Sequence, residues 1–147
     1  MKDKAAQYLQ ARIMTATKEE LLLLLFDGAI KFAQQAKAKL KEGNREEKCK
    51  LLIRSQKIVI ELMSSLRKDV LSQELYSNLI GLYGFIYMRL VDANLSDDQV
   101  KIEEALQILN SLRQTWAEAI EKNKKERLDQ LNLVKEDQKS RPEKGSS

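Results

Sequence analysis

The sequence predicts an all-α chain, folded as an antiparallel up-and-down four-helix bundle with a short N-terminal cap segment. Three observations carry that reading. The 147 residues include one Pro and five Gly, so little interrupts a helix, while the helix formers Leu, Lys, Glu and Gln abound. Apolar residues recur in helical steps of three and four, and no strand-like alternation survives inspection. The connections between the periodic stretches are short, and short connections make antiparallel neighbours. A chain of this length suits one domain with a sizeable core. Three segments are expected: a leader at 1–16, the bundle at 17–124, and a charged extension at 125–147, partly helical and then disordered.

The leader carries Tyr8, Leu9, Ile13 and Met14. These side chains are too apolar for a free solvated tail, yet the segment is too short to hold a helix alone. A turn or two of helix is expected around Ala5 to Arg12. The four apolar side chains are expected to lie over a groove as an N-terminal cover.

The first long helix is expected from Lys18 to Lys41. Thr17 followed by Glu20 is a capping box, and Glu19 and Glu20 suit the positive end of the helix dipole. Leu21 to Phe26 is an unbroken apolar run. One stripe holds Leu21, Leu24, Leu25 and Gly28; a rotated one holds Leu22, Phe26, Ala29 and Ala33. Two stripes mean burial nearly all round or an apolar surface offered to a partner. Gly43 is the expected left-handed end of this helix.

Asn44, with Glu47 three residues on, caps a second helix to about Arg67. It is apolar over a wide arc that includes Leu52, Ile53, Val59, Ile60 and Leu62. Ser72 caps a third, ending near Ala93 or Asn94, with the stripe Tyr76, Leu79, Ile80, Tyr83, Ile86, Tyr87 and Leu90. Gly81 and Gly84 interrupt it at about 1 kcal/mol each relative to Ala. They mark either a close helix approach or room for a partner. Ser96 or Asp97 is the expected cap of a fourth helix, whose stripe runs through Ile102, Ala105, Leu106, Leu109, Leu112, Trp116 and Ile120. Beyond about Asn123 charged and polar residues dominate. Leu128, Leu131 and Val134 can carry the helix for some further turns, and disorder is expected from Asp137 to Ser147. Tyr83, Leu109, Leu62, Leu25 and Trp116 are expected in one core.

Composition removes most chemistry. There is no His, which takes away the commonest metal ligand and general base. Cys49 is alone, so no intrachain disulfide forms. No phosphate-cradling Gly loop and no inward carboxylate pair is present. No catalytic, metal or cofactor site is expected, and no enzyme. The net charge of +4 is spread among interleaved acids and bases, so no nucleic-acid face is indicated. No apolar run approaches membrane-span length and no signal-peptide core is present, so the expected compartment is the cytoplasm.

Three motifs together resemble the flagellin-specific export chaperones, the FliS family. The first is Ile13-Met14-Thr15-Ala16, then Glu20-Leu21 and Leu25-Phe26-Asp27-Gly28-Ala29-Ile30. The second is Asn78-Leu79, Leu82-Tyr83 and Ile86, then Leu90 and Ala93-Asn94. The third is Leu112-Arg113, Thr115-Trp116 and Glu118-Ala119-Ile120. Lys18 stands where that family commonly has Pro, and Phe26 where it commonly has Tyr. The resemblance covers about Tyr8 to Ile120. It implies a cytoplasmic chaperone that binds the C-terminal segment of flagellin, prevents premature polymerisation and delivers flagellin to the type III export gate.

An amphipathic helix laid in an apolar groove suits such a partner. The excess apolar arcs of the second and third helices nominate Ile53, Ile60, Leu79, Tyr83 and Tyr87 as partner contacts. The same arcs also suit a self-associating, non-catalytic helical module, which is the alternative reading. Co-purification with flagellin separates the two.

Overall fold

The computed structural model describes residues 2–140. Residues 141–147, expected to be disordered, lie outside the described residues. Five helices follow one another: α1 (Lys2–Thr15), α2 (Lys18–Lys41), α3 (Arg45–Ser64), α4 (Gln73–Ser96) and α5 (Gln99–Ser140). No strand occurs among the described residues. Two compact units divide the chain after Gln114, so the first part of α5 belongs with α1–α4 and the remainder forms the second unit.

The helix starts follow local side-chain chemistry. Thr17 Oγ1 accepts from the Glu20 amide at 3.1 Å, Asn44 Oδ1 from the Glu47 amide at 3.2 Å, and Ser72 Oγ from the Leu75 amide at 3.1 Å. Each satisfies an orphan amide of the first turn. Gly43 takes φ +79° and lets the Asn44 amide reach back to Lys39 O at 2.9 Å, closing α2.

Four boundaries differ from the sequence expectation. The leader forms a helix of 14 residues, longer than a turn or two. α3 stops at Ser64, short of Arg67, because the hydroxyls of Ser64 and Ser65 bond back to Ile60 O and Leu62 O in the last turn. Ser96 does not cap the next helix. It remains in α4, where its hydroxyl bonds Asp92 O at 2.7 Å, and Asp97 follows in the left-handed region at φ 52°. The cap falls to Asp98, whose carboxylate accepts from the Val100 amide at 2.9 Å. α5 then runs for 42 residues, through Asp137–Ser140, where disorder was expected. Its Glu, Lys, Gln and Arg residues are good helix formers, and no Gly or Pro intervenes before Pro142.

Cross-helix contacts fix the bundle's antiparallel order in the first unit. Ser55 Oγ, fully buried, donates to Ala29 O at 2.8 Å and joins the middles of α2 and α3. Lys48, at the start of α3, reaches Asn94 O near the end of α4 at 2.9 Å. Moving from Lys37–Glu103 at 3.1 Å to Asp27–Arg113 at 2.5 Å runs down α2 and up α5. Arg89 and Glu104, 3.2 Å apart, join α4 to α5. Gly28 of α2 lies against α3, where an added Cβ would sit 3.1 Å from Ile58 Cδ1.

The core is built from Phe26, Ala29 and Ala33 of α2, Leu52, Val59 and Leu62 of α3, Tyr83, Ile86, Leu90 and Ala93 of α4, and Ile102, Ala105 and Leu109 of α5, all fully buried. Phe26 and Tyr83 meet at its centre with ring centroids 6.2 Å apart, tilted by 43°. Of α2's two stripes, the Phe26 one is inside. Leu21 to Leu25 are only half-buried, so Leu25 is not a core residue. Trp116 is half-buried as well, against the expectation that it anchors the core.

Candidate docking surface

α4 carries no charged side chain between Glu74 and Arg89. A helix with one face in water needs polar residues there, and α4 does not supply charged ones. Its inward stripe is Leu79, Tyr83, Ile86 and Leu90. Its outward side holds Leu75 (46% exposed), Leu82 (40%), Phe85 (43%) and Met88 (51%). Exposed large apolar groups on one face mark interaction sites, where isolated ones do not.

Gly81 and Gly84 lie on this helix. An added Cβ at either would meet nothing within 4 Å among the described residues. Close packing against a neighbouring helix therefore does not explain them. Each lowers the helix's own stability by about 1 kcal/mol relative to Ala and leaves open space over the backbone.

Arg89, which ends the uncharged stretch, is stacked with its guanidinium carbon 4.8 Å from the Phe85 ring centroid. Its Nε stands 3.2 Å from Glu104 Oε2 but outside hydrogen-bonding geometry, and it is buried without a hydrogen-bond partner among the described residues. At the other end of α4, Lys68, Gln73, Tyr76 and Ser77 line a half-open cleft of about 340 Å³. There Lys68 Nζ sits 5.2 Å from the Tyr76 ring centroid.

The residues nominated from sequence divide by depth. Ile53 and Ile60 of α3 are exposed, at 40% and 46%, and seven residues apart they share a helix face. Tyr87 is half-buried. Leu79 and Tyr83 are buried, at 8% and 0%, and support α4 from beneath. In the leader, Tyr8, Leu9, Ile13 and Met14 are 67%, 47%, 45% and 79% exposed in this structure. Leu75, Leu82, Phe85 and Met88 escape periodicity, because the eye follows the cleaner buried stripe. The signal that finds them is the run without charge from Leu75 to Met88.

No group of His, Cys, Asp and Glu among the described residues is placed to hold a metal ion, and no described helix is long and apolar enough to cross a membrane.

Comparison with known proteins follows the same outline. The family described as "Flagellar protein FliS" matches residues 1–123. The flagellar secretion chaperone FliS of Bacillus subtilis is 32% identical over 120 residues, covering 82% of this chain and 88% of that protein. The protein of the same name from Escherichia coli is 26% identical over 111 residues, covering 76% and 82%. A solved structure described as a flagellar chaperone from bacteria superimposes with a TM-score of 0.66 at 22% identity, over 82% of this chain and 97% of that one. That likeness supports the helical-bundle fold.

Proposed function

This chain belongs to the flagellar protein FliS family, and on that premise we propose that the substrate it escorts is flagellin, bound through its C-terminal segment. The chain is a flagellar export chaperone and not an enzyme. In the proposed function it works in the cytoplasm, keeps flagellin from polymerising early, and presents it to the type III export gate.

The observation that carries this reading is the uncharged, outward apolar side of α4, with open backbone at Gly81 and Gly84. A segment that forms amphipathic helices can bury its apolar face there. Ile53 and Ile60 of α3 extend the contact, Tyr87 lies at its border, and Leu79 and Tyr83 set its floor. The proposal keeps the N-terminal cover: α1, whose Tyr8, Leu9, Ile13 and Met14 are exposed in this structure, closes over the surface less than half the time and moves aside on binding.

Calorimetry with monomeric flagellin tests the assignment. Full-length flagellin binds, and flagellin lacking its C-terminal segment does not. Equal binding of both forms defeats the C-terminal assignment, and no binding of either defeats flagellin as the substrate.

A further inference from the structure

The groove between α3 and α4 is closed at one end. Asn94 Nδ2 lies 3.4 Å from Cys49 Sγ, which fixes the sides that the two helices turn toward each other. Steps of four and seven onward from Cys49 reach Ile53 and Ile60 on that side of α3. Steps of seven, seven and four back from Asn94 reach Tyr87, Ile80 and Tyr76 on that side of α4. Ile53 and Ile60 are exposed, and Tyr87, Ile80 and Tyr76 are half-buried, so they form the banks of an accessible groove. Residues 65–72 join the end of α3 to the start of α4 and close the groove beyond Tyr76. At the other end α3 is entered from α2 and α4 leaves for α5, so no backbone links the two helices there.

The closed end is the cleft lined by Lys68, Gln73, Tyr76 and Ser77. No carboxylate lines it among the described residues. Arg67 and Asp69 beside it pair with each other, N–O 2.5 Å. Lys68 has no carboxylate partner among the described residues, and its ammonium rests near the Tyr76 ring. The lining therefore offers a cation, an amide and two hydroxyls. A segment lying along the groove cannot continue through the connection, so a chain end belongs in this cleft. An N-terminal ammonium would be repelled by Lys68. An α-carboxylate can accept from Lys68 Nζ, the Gln73 amide and the Ser77 hydroxyl. Capture of a C-terminal carboxylate is a recurring mode of peptide recognition.

We propose that this cleft holds the free C-terminal carboxylate of the bound flagellin segment, an inference that rests on the flagellin reading above. The segment then runs parallel to α3 and antiparallel to α4, over Ile53, Ile60 and Tyr87, with its last residue at Lys68. A single charge pair made at the closed end acts on how slowly the segment leaves, not on how fast it arrives.

Calorimetry of the full chain with a synthetic peptide of flagellin's C-terminal segment, as free acid and as C-terminal amide, tests it. Amidation removes the charge and should weaken binding by about tenfold. Lys68 is exposed, so Lys68→Met should leave the melting temperature unchanged. In that variant the free acid should bind about as weakly as the amide. A nitroxide on the peptide's penultimate residue should broaden the amide resonances of Lys68, Gln73 and Tyr76 more than those of Cys49 and Asn94. Equal binding of acid and amide to the wild type overturns the carboxylate site while leaving the flagellin reading standing. An acid-to-amide difference undiminished in Lys68→Met also overturns it, and broadening centred on Cys49 and Asn94 overturns the direction. No binding of either peptide defeats the flagellin reading and this inference with it.

Discussion

Lys48, in the first turn of α3, donates a 2.5 Å hydrogen bond to Asp97, the left-handed residue that ends α4. The lysine is 3% exposed, and its other hydrogen bond goes to Asn94 O at the same helix end. A cation there also meets the negative pole of α4. Arg45 Nε adds a 3.1 Å contact to the second carboxylate oxygen of Asp97.

This contact predicts an acid-sensitive stability. The Lys48 hydrogen bond, opposed in part by desolvation and aided by the charges of Lys48 and Arg45, holds the Asp97 carboxyl below its ordinary value. A depressed native pKa gives stability that is present above the unfolded value of about 3.9 and is lost as pH falls through the lower native one. Thermal melts from pH 7 to pH 2 should show that loss in the wild type. Lys48→Met and Asp97→Asn should both melt lower at pH 7, with the gap to wild type closing at the acid end.

Core and surface positions should separate cleanly in urea. Leu62→Ala and Leu109→Ala remove fully buried side chains and should cost about 2–5 kcal/mol each. Trp116→Ala should cost less than the roughly 3–5 kcal/mol of a buried aromatic, because Trp116 is half-exposed.

Gly81→Ala sets stability against function. The new methyl meets nothing among the described residues, so the helix should gain up to about 1 kcal/mol. The same methyl stands where a docked helix would approach the backbone, and flagellin affinity should fall. A higher melting temperature with undiminished affinity in calorimetry would separate Gly81 from the docking surface.

Phe85→Glu and Leu82→Glu place a charge in the uncharged stretch of α4. Both should leave the melting temperature within a few degrees and weaken flagellin binding at least tenfold, about 1.4 kcal/mol. Ile53→Glu and Ile60→Glu should show smaller losses of the same sign if α3 extends the contact. Calorimetry on the four variants ranks the two helices.

Deleting residues 1–12 should raise flagellin affinity by no more than about twofold, the limit for a cover that is closed less than half the time. A tenfold gain would mean that the closed form dominates. A loss would make α1 part of the site.

Helix starts are legible in this sequence because caps act over one turn: Thr17, Asn44 and Ser72 each announce a helix within three residues. Ends are less so. Ser64 and Ser65 shorten α3 through hydroxyls that compete for its last carbonyls, and Ser96 stays in α4 for a similar local reason. Burial on an apolar-rich helix is harder still. Periodicity finds Tyr83 and Ile86, but it cannot tell whether Leu21 to Leu25 or Leu82 and Phe85 have a neighbour, since that depends on where other helices lie. So periodicity places Leu25 inside, and on the outer face of α4 it marks only Gly81 and Gly84 as room for a partner.

The absence of charge from Leu75 to Met88 also governs how a partner arrives. Electrostatic steering raises encounter rates well above the roughly 10⁵–10⁶ M⁻¹s⁻¹ of neutral surfaces, and salt removes the advantage. A surface without charge has no such advantage to lose. Loading of the chaperone should proceed at an unassisted rate that ionic strength barely changes, and discrimination among partners should reside in how slowly the right one leaves.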